Sequence, residues 1–325
     1  MVLRKISLLA LSALSIFFTA ILHPLFILAV LFFLILLFNW TDFFYREDPR
    51  YSQTDLSRLM DGEAGPIELD NSSDKAVIFV HGFPSTPKTY KYVAPIAADS
   101  GYDVFAPLLP GFGTNHDDFI KSNFSQWYAY LSDYYLEKRR KYKKLYIIGL
   151  SMGGALTLKL AEEFSGTEWA PDGISVNAAP VSLRFPRKGP GRGASLLFIR
   201  TLGWFVRHQG GKSDKWKKME DGHNEWLGYQ GQFPRQVYSL KMAVYKIRKD
   251  LSKISVPVIA FQAPDDSTVD FTNLSLIENG VSSKIKSFNR LDYTGYYNTS
   301  HALFLYESIR EKLIRHILDF FEGLE

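Results

Sequence analysis

The chain has 325 residues, 46% of them hydrophobic, and a formal net charge of +4; that allows one sizeable core with appendages and excludes the charge excess of a general nucleic-acid binder. It contains no cysteine, so disulfides, thiolate nucleophiles and zinc–thiolate sites are excluded, and reactive chemistry must come from oxygen and nitrogen groups. The charge is uneven: between positions 184 and 218 ten basic residues meet one acid, Asp214, so that stretch carries +9 and the remainder −5.

After Arg4 and Lys5, positions 6–40 contain no Asp, Glu, Lys or Arg and are broken only by His23 and Pro24. As one helix they would run roughly 52 Å, beyond a hydrocarbon core of about 30 Å, and they outrun the h-region of a signal peptide. The pattern predicts a membrane anchor over 1–45, either two short spans hinged at Pro24 or one span continuing as a tilted or interfacial helix. Trp40, Phe43, Phe44 and Tyr45 then form an interfacial aromatic belt. Arg4 and Lys5 hold the N-terminus cytoplasmic by the positive-inside tendency, so two spans, the preferred reading, return the rest of the chain to the cytoplasm, and one span sends it outside. Four N-x-S/T sequons, at Asn71, Asn123, Asn273 and Asn298, have meaning only in a secretory lumen.

A polar connector, 46–74, leads into a globular pattern. KAVIFV (75–80), YDVFAPLL (102–109), KLYIIGL (144–150), GISVNAA (173–179) and PVIAFQA (257–263) are short apolar runs of the kind that form strands buried on both faces, with KIKSFN (284–289) as a last candidate. Helical stretches at 90–100, 124–142 and 153–164 separate them, and strands alternating with helices at this spacing indicate a parallel sheet covered on both sides.

Reactive groups in such sheets collect at the carboxyl ends of strands. Gly149-Leu150-Ser151-Met152-Gly153 follows an apolar strand and opens a helix, the context of a G-x-S-x-G nucleophile elbow, in which small neighbours allow a strained turn that lifts the hydroxyl above the sheet. A serine hydroxyl needs a base to remove its proton and a carboxylate to orient that base. Of seven histidines, His23 is in the apolar segment, His316 inside the terminal helical stretch, His208 and His223 in the basic region, and His116 in a loop. His301, in a loop after the last strand and before the last helix, is the base candidate. The strand end IAFQAPDDSTVD offers Asp265, Asp266 and Asp270. An oxyanion hole needs two backbone N–H donors: one from Met152, after the nucleophile, and one from the loop HGFPST, where Phe83 can donate and Pro84 cannot. His81 would orient this loop.

These features resemble the α/β-hydrolase fold, and within it the carboxylesterase, monoacylglycerol lipase and lysophospholipase branch. The resemblance covers about 75–324, with little between 184 and 231, and rests on VHGFPST, PLLPGFGT (107–114), GLSMGG and ISVPVIAFQAPDD. It implies a mostly parallel central sheet with helices on both faces, a core of 75–182 plus 251–325, and a helical cap insert at 183–250. The family's acid sits four residues after the glutamine ending its strand, which selects Asp266 after Gln262; the family's histidine falls on His301, reached here by an unusually long link, RLDYTGYYNTS. The insert combines SLLFIRTLGWFV (195–206) with the basic KSDKWKK (212–218), suited either to acyl chains and acidic headgroups or to a core-packed lid helix with a solvated charged face. Trp204 and Phe205 there, together with His81, are candidate substrate contacts. The expectation is a membrane-anchored serine hydrolase of carboxylic, acyl or lipid esters, with Ser151, Asp266 and His301 as triad, Phe83 and Met152 as oxyanion donors, and no metal, cofactor or nucleic acid. The same triad would serve an acyltransferase, thioesterase or peptidase, and an inactive scaffold that binds acyl ligands is the alternative of another class.

Overall fold

The computed structural model describes residues 14–19, 24–41, 45–183, 196–208, 210, 218–292 and 299–324. Each of the six apolar runs supplies a strand: β2 Lys75–Val80, β3 Asp103–Ala106, β4 Lys144–Leu150, β5 Gly173–Asn177, β6 Val258–Gln262 and β7 Lys286–Arg290. A further strand, β1 Ile67–Leu69, lies within the expected polar connector. The sheet order is β1-β3-β2-β4-β5-β6-β7, with β1 antiparallel to β3 and every other neighbour parallel. The third strand stops earlier than its apolar run because Pro107 follows Ala106 and has no N–H for a ladder. At the far edge β7 is only partly buried, so its hydrophobic signal is weak.

The main helices are α1 Pro24–Trp40, α2 Ala94–Asp99, α3 Phe124–Arg139, α4 Met152–Phe164, α5 Ile199–Phe205, α6 Pro234–Asp250, α7 Thr272–Gly280 and α8 Arg310–Glu322; α2 and α8 cover one face of the sheet, and α3, α4, α6 and α7 the other. Alternation along β2 sorts the core. Ala76, Ile78 and Val80 join the cluster beneath α3 and α4, whereas Val77 and Phe79 join the one beneath α2 and α8, as the two-residue period of a strand requires. The α3 helix begins where Asn123 Oδ1 accepts from Gln126 N at 3.0 Å, so the asparagine of one N-x-S/T sequon serves as a helix cap. Two others are also engaged: Asn273 Oδ1 accepts from Val181 N and Ser182 N, both at 2.8 Å, and Asn71 Nδ2 donates to Ala98 O and Tyr102 O. Asn298 lies outside the described residues.

Leu240, Val244 and Ile247 of α6 lie in the same buried cluster as Ala155 and Leu158 of α4, so the end of the 183–250 segment packs into the core layer. The spacing of those residues is that of one helix face. In the N-terminal segment no helix among the described residues is long and apolar enough to cross a membrane. The 17 residues of α1 extend roughly 26 Å against a core of about 30 Å, and the first expected span, 6–22, lies mostly outside the described residues. Residues 1–13 and 20–23 lie outside the description.

Candidate active site

Strand β4 ends at Leu150, and the chain turns at Ser151 with φ 57° and ψ −122°, a conformation that costs an L-residue on the order of 1–3 kcal/mol. Glycines make the turn possible. A Cβ on Gly153 would stand 1.9 Å from Val80 O, and one on Gly149 2.4 Å from Gly153 O; α4 therefore starts in direct backbone contact with the ends of β2 and β4. Ser151 N donates to Asn177 O at 2.8 Å, which ties the turn to β5.

Val80 pairs with Gly149 across β2 and β4, so the loop after β2 meets the turn after β4. A Cβ on Gly82 would come within 3.1 Å of both Leu150 O and Ser151 Cβ. Phe83 follows in this loop, and Met152 is the first residue of α4, at the positive end of its dipole. Among the described residues neither the Phe83 nor the Met152 N–H donates to a protein carbonyl. The Phe83 ring packs against Phe119, Trp127 and Phe233, with centroids 5.3, 6.1 and 6.3 Å away.

Asp266 and His301 meet near the ends of β6 and β7. His301 Nδ1 lies 2.8 Å from Asp266 Oδ2, and Asp266 Oδ1 accepts from Thr268 N at 2.7 Å and Val269 N at 2.9 Å. The neighbouring carboxylates have other partners: Asp265 Oδ2 accepts from Ser300 Oγ at 2.8 Å, and Asp270 Oδ1 accepts from Thr272 N at 2.9 Å. A carboxylate on Nδ1 leaves the imidazole Nε2 available to take a proton, and a hydroxyl raised at a strand end is a fit donor of one. Residues 293–298, within the long link before His301, lie outside the described residues. No group of three or more His, Asp or Glu among the described residues could hold a metal ion.

Two residues beside His301 were not singled out in the sequence. Tyr306 Oη accepts from the N–H groups of His301 and Ala302, both at 3.0 Å, and lies 3.1 Å from His223 Nδ1. The only sequence signal for Tyr306 is its position five residues after the histidine. His223 has none, because its neighbour in space is 83 residues away in the chain.

The candidate substrate contacts have the following neighbours. His81 is fully buried; its Nε2 accepts from Leu109 N at 3.2 Å, and its Nδ1 is then the protonated nitrogen that faces Gly82 O at 3.2 Å. Both nitrogens being used, it braces the loops after β2 and β3. The Trp204 ring packs on Phe38 of α1 at 4.9 Å, and Phe205 is 81% exposed; these neighbours are the N-terminal helix and solvent.

Burial pushes His81 down to about 4, and burial together with the charge of His301 does the same to His223. Both fold as neutral imidazoles, whereas the unfolded chain protonates them near 6.5. Below that value the unfolded state binds more protons, so stability falls as the pH drops toward 4, by about 3 kcal/mol for His81 over the full interval. Urea unfolding between about pH 7 and pH 4.5 is expected to show this decline, reduced in His81→Gln; the same slope in the variant would remove His81 as a source.

Residues 77–307 match the Alpha/beta hydrolase family. The chain is 28% identical over 232 residues to a thermostable monoacylglycerol lipase of Bacillus sp. (strain H-257), covering 70% of this chain and 82% of that one. It is 21% identical over 253 residues to a carboxylesterase of Bacillus subtilis (strain 168), covering 78% and 94%. A soluble variant of the monoglyceride lipase of Saccharomyces cerevisiae, solved with a substrate analogue, shares the fold with a TM-score of 0.64 at 15% identity over 85% of this chain and 95% of that one.

Proposed function

Since the chain belongs to the alpha/beta hydrolase family and is an ester-hydrolysing enzyme, we propose that it cleaves acyl esters by a Ser151–His301–Asp266 triad through an acyl-enzyme intermediate. Ser151 Oγ attacks the ester carbonyl as His301 Nε2 takes its proton. The tetrahedral oxyanion is held by the N–H groups of Phe83 and Met152. Collapse expels the alcohol, which receives the proton from His301, and water repeats the sequence on the acyl-enzyme to release the acid. Asp266 keeps His301 in the tautomer with Nδ1–H and stabilises the imidazolium. The observation that carries this reading is the 2.8 Å contact between His301 Nδ1 and Asp266 Oδ2, with Ser151 on a strained turn of the same sheet.

The substrates we assign are monoacylglycerols and related lipid esters. Support comes from the monoacylglycerol lipase and carboxylesterase among the relatives and from the aromatic rings around Phe83, which suit a hydrocarbon chain. The segment between β5 and α6 acts in this reading as a cap over the site. The helix α1, with Leu25 68% and Leu28 61% exposed, seats the protein on a membrane, where such esters reside.

Labelling with a fluorophosphonate probe tests the triad: wild type is expected to label and Ser151→Ala to remain unlabelled, and equal labelling of both would overturn the assignment. Aryl esters of increasing acyl length test the substrate class. Activity rising beyond butyryl supports a lipid substrate, whereas a sharp maximum at acetyl contradicts it.

A further inference from the structure

The sequence of α1, PLFILAVLFFLILLFNW, carries a single polar amide, Asn39, and that residue is fully buried. Its Oδ1 accepts from the N–H groups of Arg200 and Thr201 at 2.8 and 3.1 Å, and its Nδ2 donates to Thr201 Oγ1 at 2.7 Å. The residue preceding α5, Phe198, supplies no side-chain cap; Asn39 performs that task from another helix. In return the Arg200 guanidinium lies 3.8 Å from the Phe38 ring centroid and donates through Nη1 to Phe38 O at 2.9 Å, at the negative end of α1. Lys241 Nζ donates to Asn39 O at 3.1 Å, and Tyr238 Oη to Thr41 O at 2.8 Å. The carboxyl end of α1 is thus fastened to α5 and α6, while Leu25, Phe26, Leu28 and Phe33 on its body are each more than half exposed.

At this fastened end lies a cavity of about 770 Å³ whose lining includes Phe38, Arg46, Lys121, Arg200, Trp204 and Arg235. Its lining carries four cations, Arg46, Lys121, Arg200 and Arg235, against two acids: Glu47, which accepts from Ser125 N and Oγ at 3.1 and 2.7 Å, and Asp48, which is ion-paired with Arg50. Among the described residues no ion pair involves Arg46, Lys121 or Arg235, and all three are exposed. Trp40 and Trp204, 64% and 66% exposed, stand with Phe205 in the aromatic collar expected at a bilayer surface.

An apolar rod rising from a cationic, aromatic-rimmed cavity matches one chemistry, an amphiphile with an anionic head and hydrocarbon tails. A free phosphate would answer the cations and leave α1 in water; a neutral lipid would cover α1 and leave the cations unmatched. We propose that this cavity receives the phosphate headgroup of an anionic bilayer phospholipid whose acyl chains lie along α1. Guanidinium groups suit phosphate because their planar forks donate to two oxygens at once. The proposal rests on the membrane reading above, and it assigns Trp204 and Phe205 to the lipid surface instead of the ester site.

The test is flotation of the full chain with vesicles of phosphatidylcholine alone and of phosphatidylcholine containing about one-quarter phosphatidylglycerol. Wild type is expected to prefer the anionic vesicles, and Arg46→Gln/Lys121→Gln/Arg235→Gln to lose about fivefold of that preference per charge removed. The variant should keep its binding to neutral vesicles and its hydrolysis of a dissolved short-chain aryl ester, which also verifies its fold. An undiminished anionic preference in the variant would overturn the headgroup site and leave the membrane reading intact; no binding to either vesicle would overturn both. If millimolar inorganic phosphate abolishes the preference at constant ionic strength, the cavity belongs to the free anion and the lipid assignment fails.

Discussion

Ser151→Ala is expected to lower kcat by about a millionfold on any ester the wild type cleaves, with KM changed by less than about threefold. The argument combines the reaction with the backbone. Without Oγ no acyl-enzyme forms, and the remaining rate comes from binding and the oxyanion donors, about a thousandfold above water. Alanine keeps a Cβ at φ 57°, so the strain at this turn is unchanged and stability should stay within about 1 kcal/mol. Single-turnover acid release together with a thermal melt separates the two quantities. A variant that melts like wild type and retains more than a tenth of kcat would show that Ser151 is not the nucleophile.

What the sequence discloses depends on how locally each feature is encoded. The elbow is legible because its requirements sit within five consecutive residues: Gly149 and Gly153 are needed where a Cβ would strike backbone at 2.4 and 1.9 Å, and no other residue satisfies that contact. The strands β2 to β6 are legible because two-sided burial demands unbroken apolar runs. The strand β1 is not, since three residues reading IEL on an antiparallel edge carry neither a continuous run nor a measurable alternation. Trp204 and Phe205 read as a substrate surface because an apolar-aromatic run near an active site does so, whereas the contact of Trp204 with Phe38 of the N-terminal helix, at 4.9 Å, joins residues too far apart in the chain for any spacing to show it. The brace at Tyr306 is set by contacts to His223 and to backbone N–H groups, which no spacing rule anticipates.

The aspartate pair is the sharpest case, because Asp265 and Asp266 are adjacent and the residues alone leave both open. Asp266→Asn is expected to lower kcat by about 10⁴-fold and Asp265→Asn by less than tenfold. In the native arrangement Asp266 Oδ1 accepts from Thr268 N and Val269 N at 2.7 and 2.9 Å while Oδ2 faces His301 Nδ1 at 2.8 Å. An asparagine must place its oxygen where those two N–H groups point, so its NH₂ turns to His301. The imidazole then accepts at Nδ1 and carries its proton on Nε2, presenting a donor where Ser151 needs an acceptor; the fold survives and the base is lost. At Asp265 the amide oxygen still accepts the 2.8 Å bond from Ser300 Oγ, so that substitution weakens a loop contact and leaves the tautomer of His301 untouched. The two effects exchanged in size would assign the orienting role to Asp265, and proton NMR of the His301 ring in each variant reports the tautomer directly.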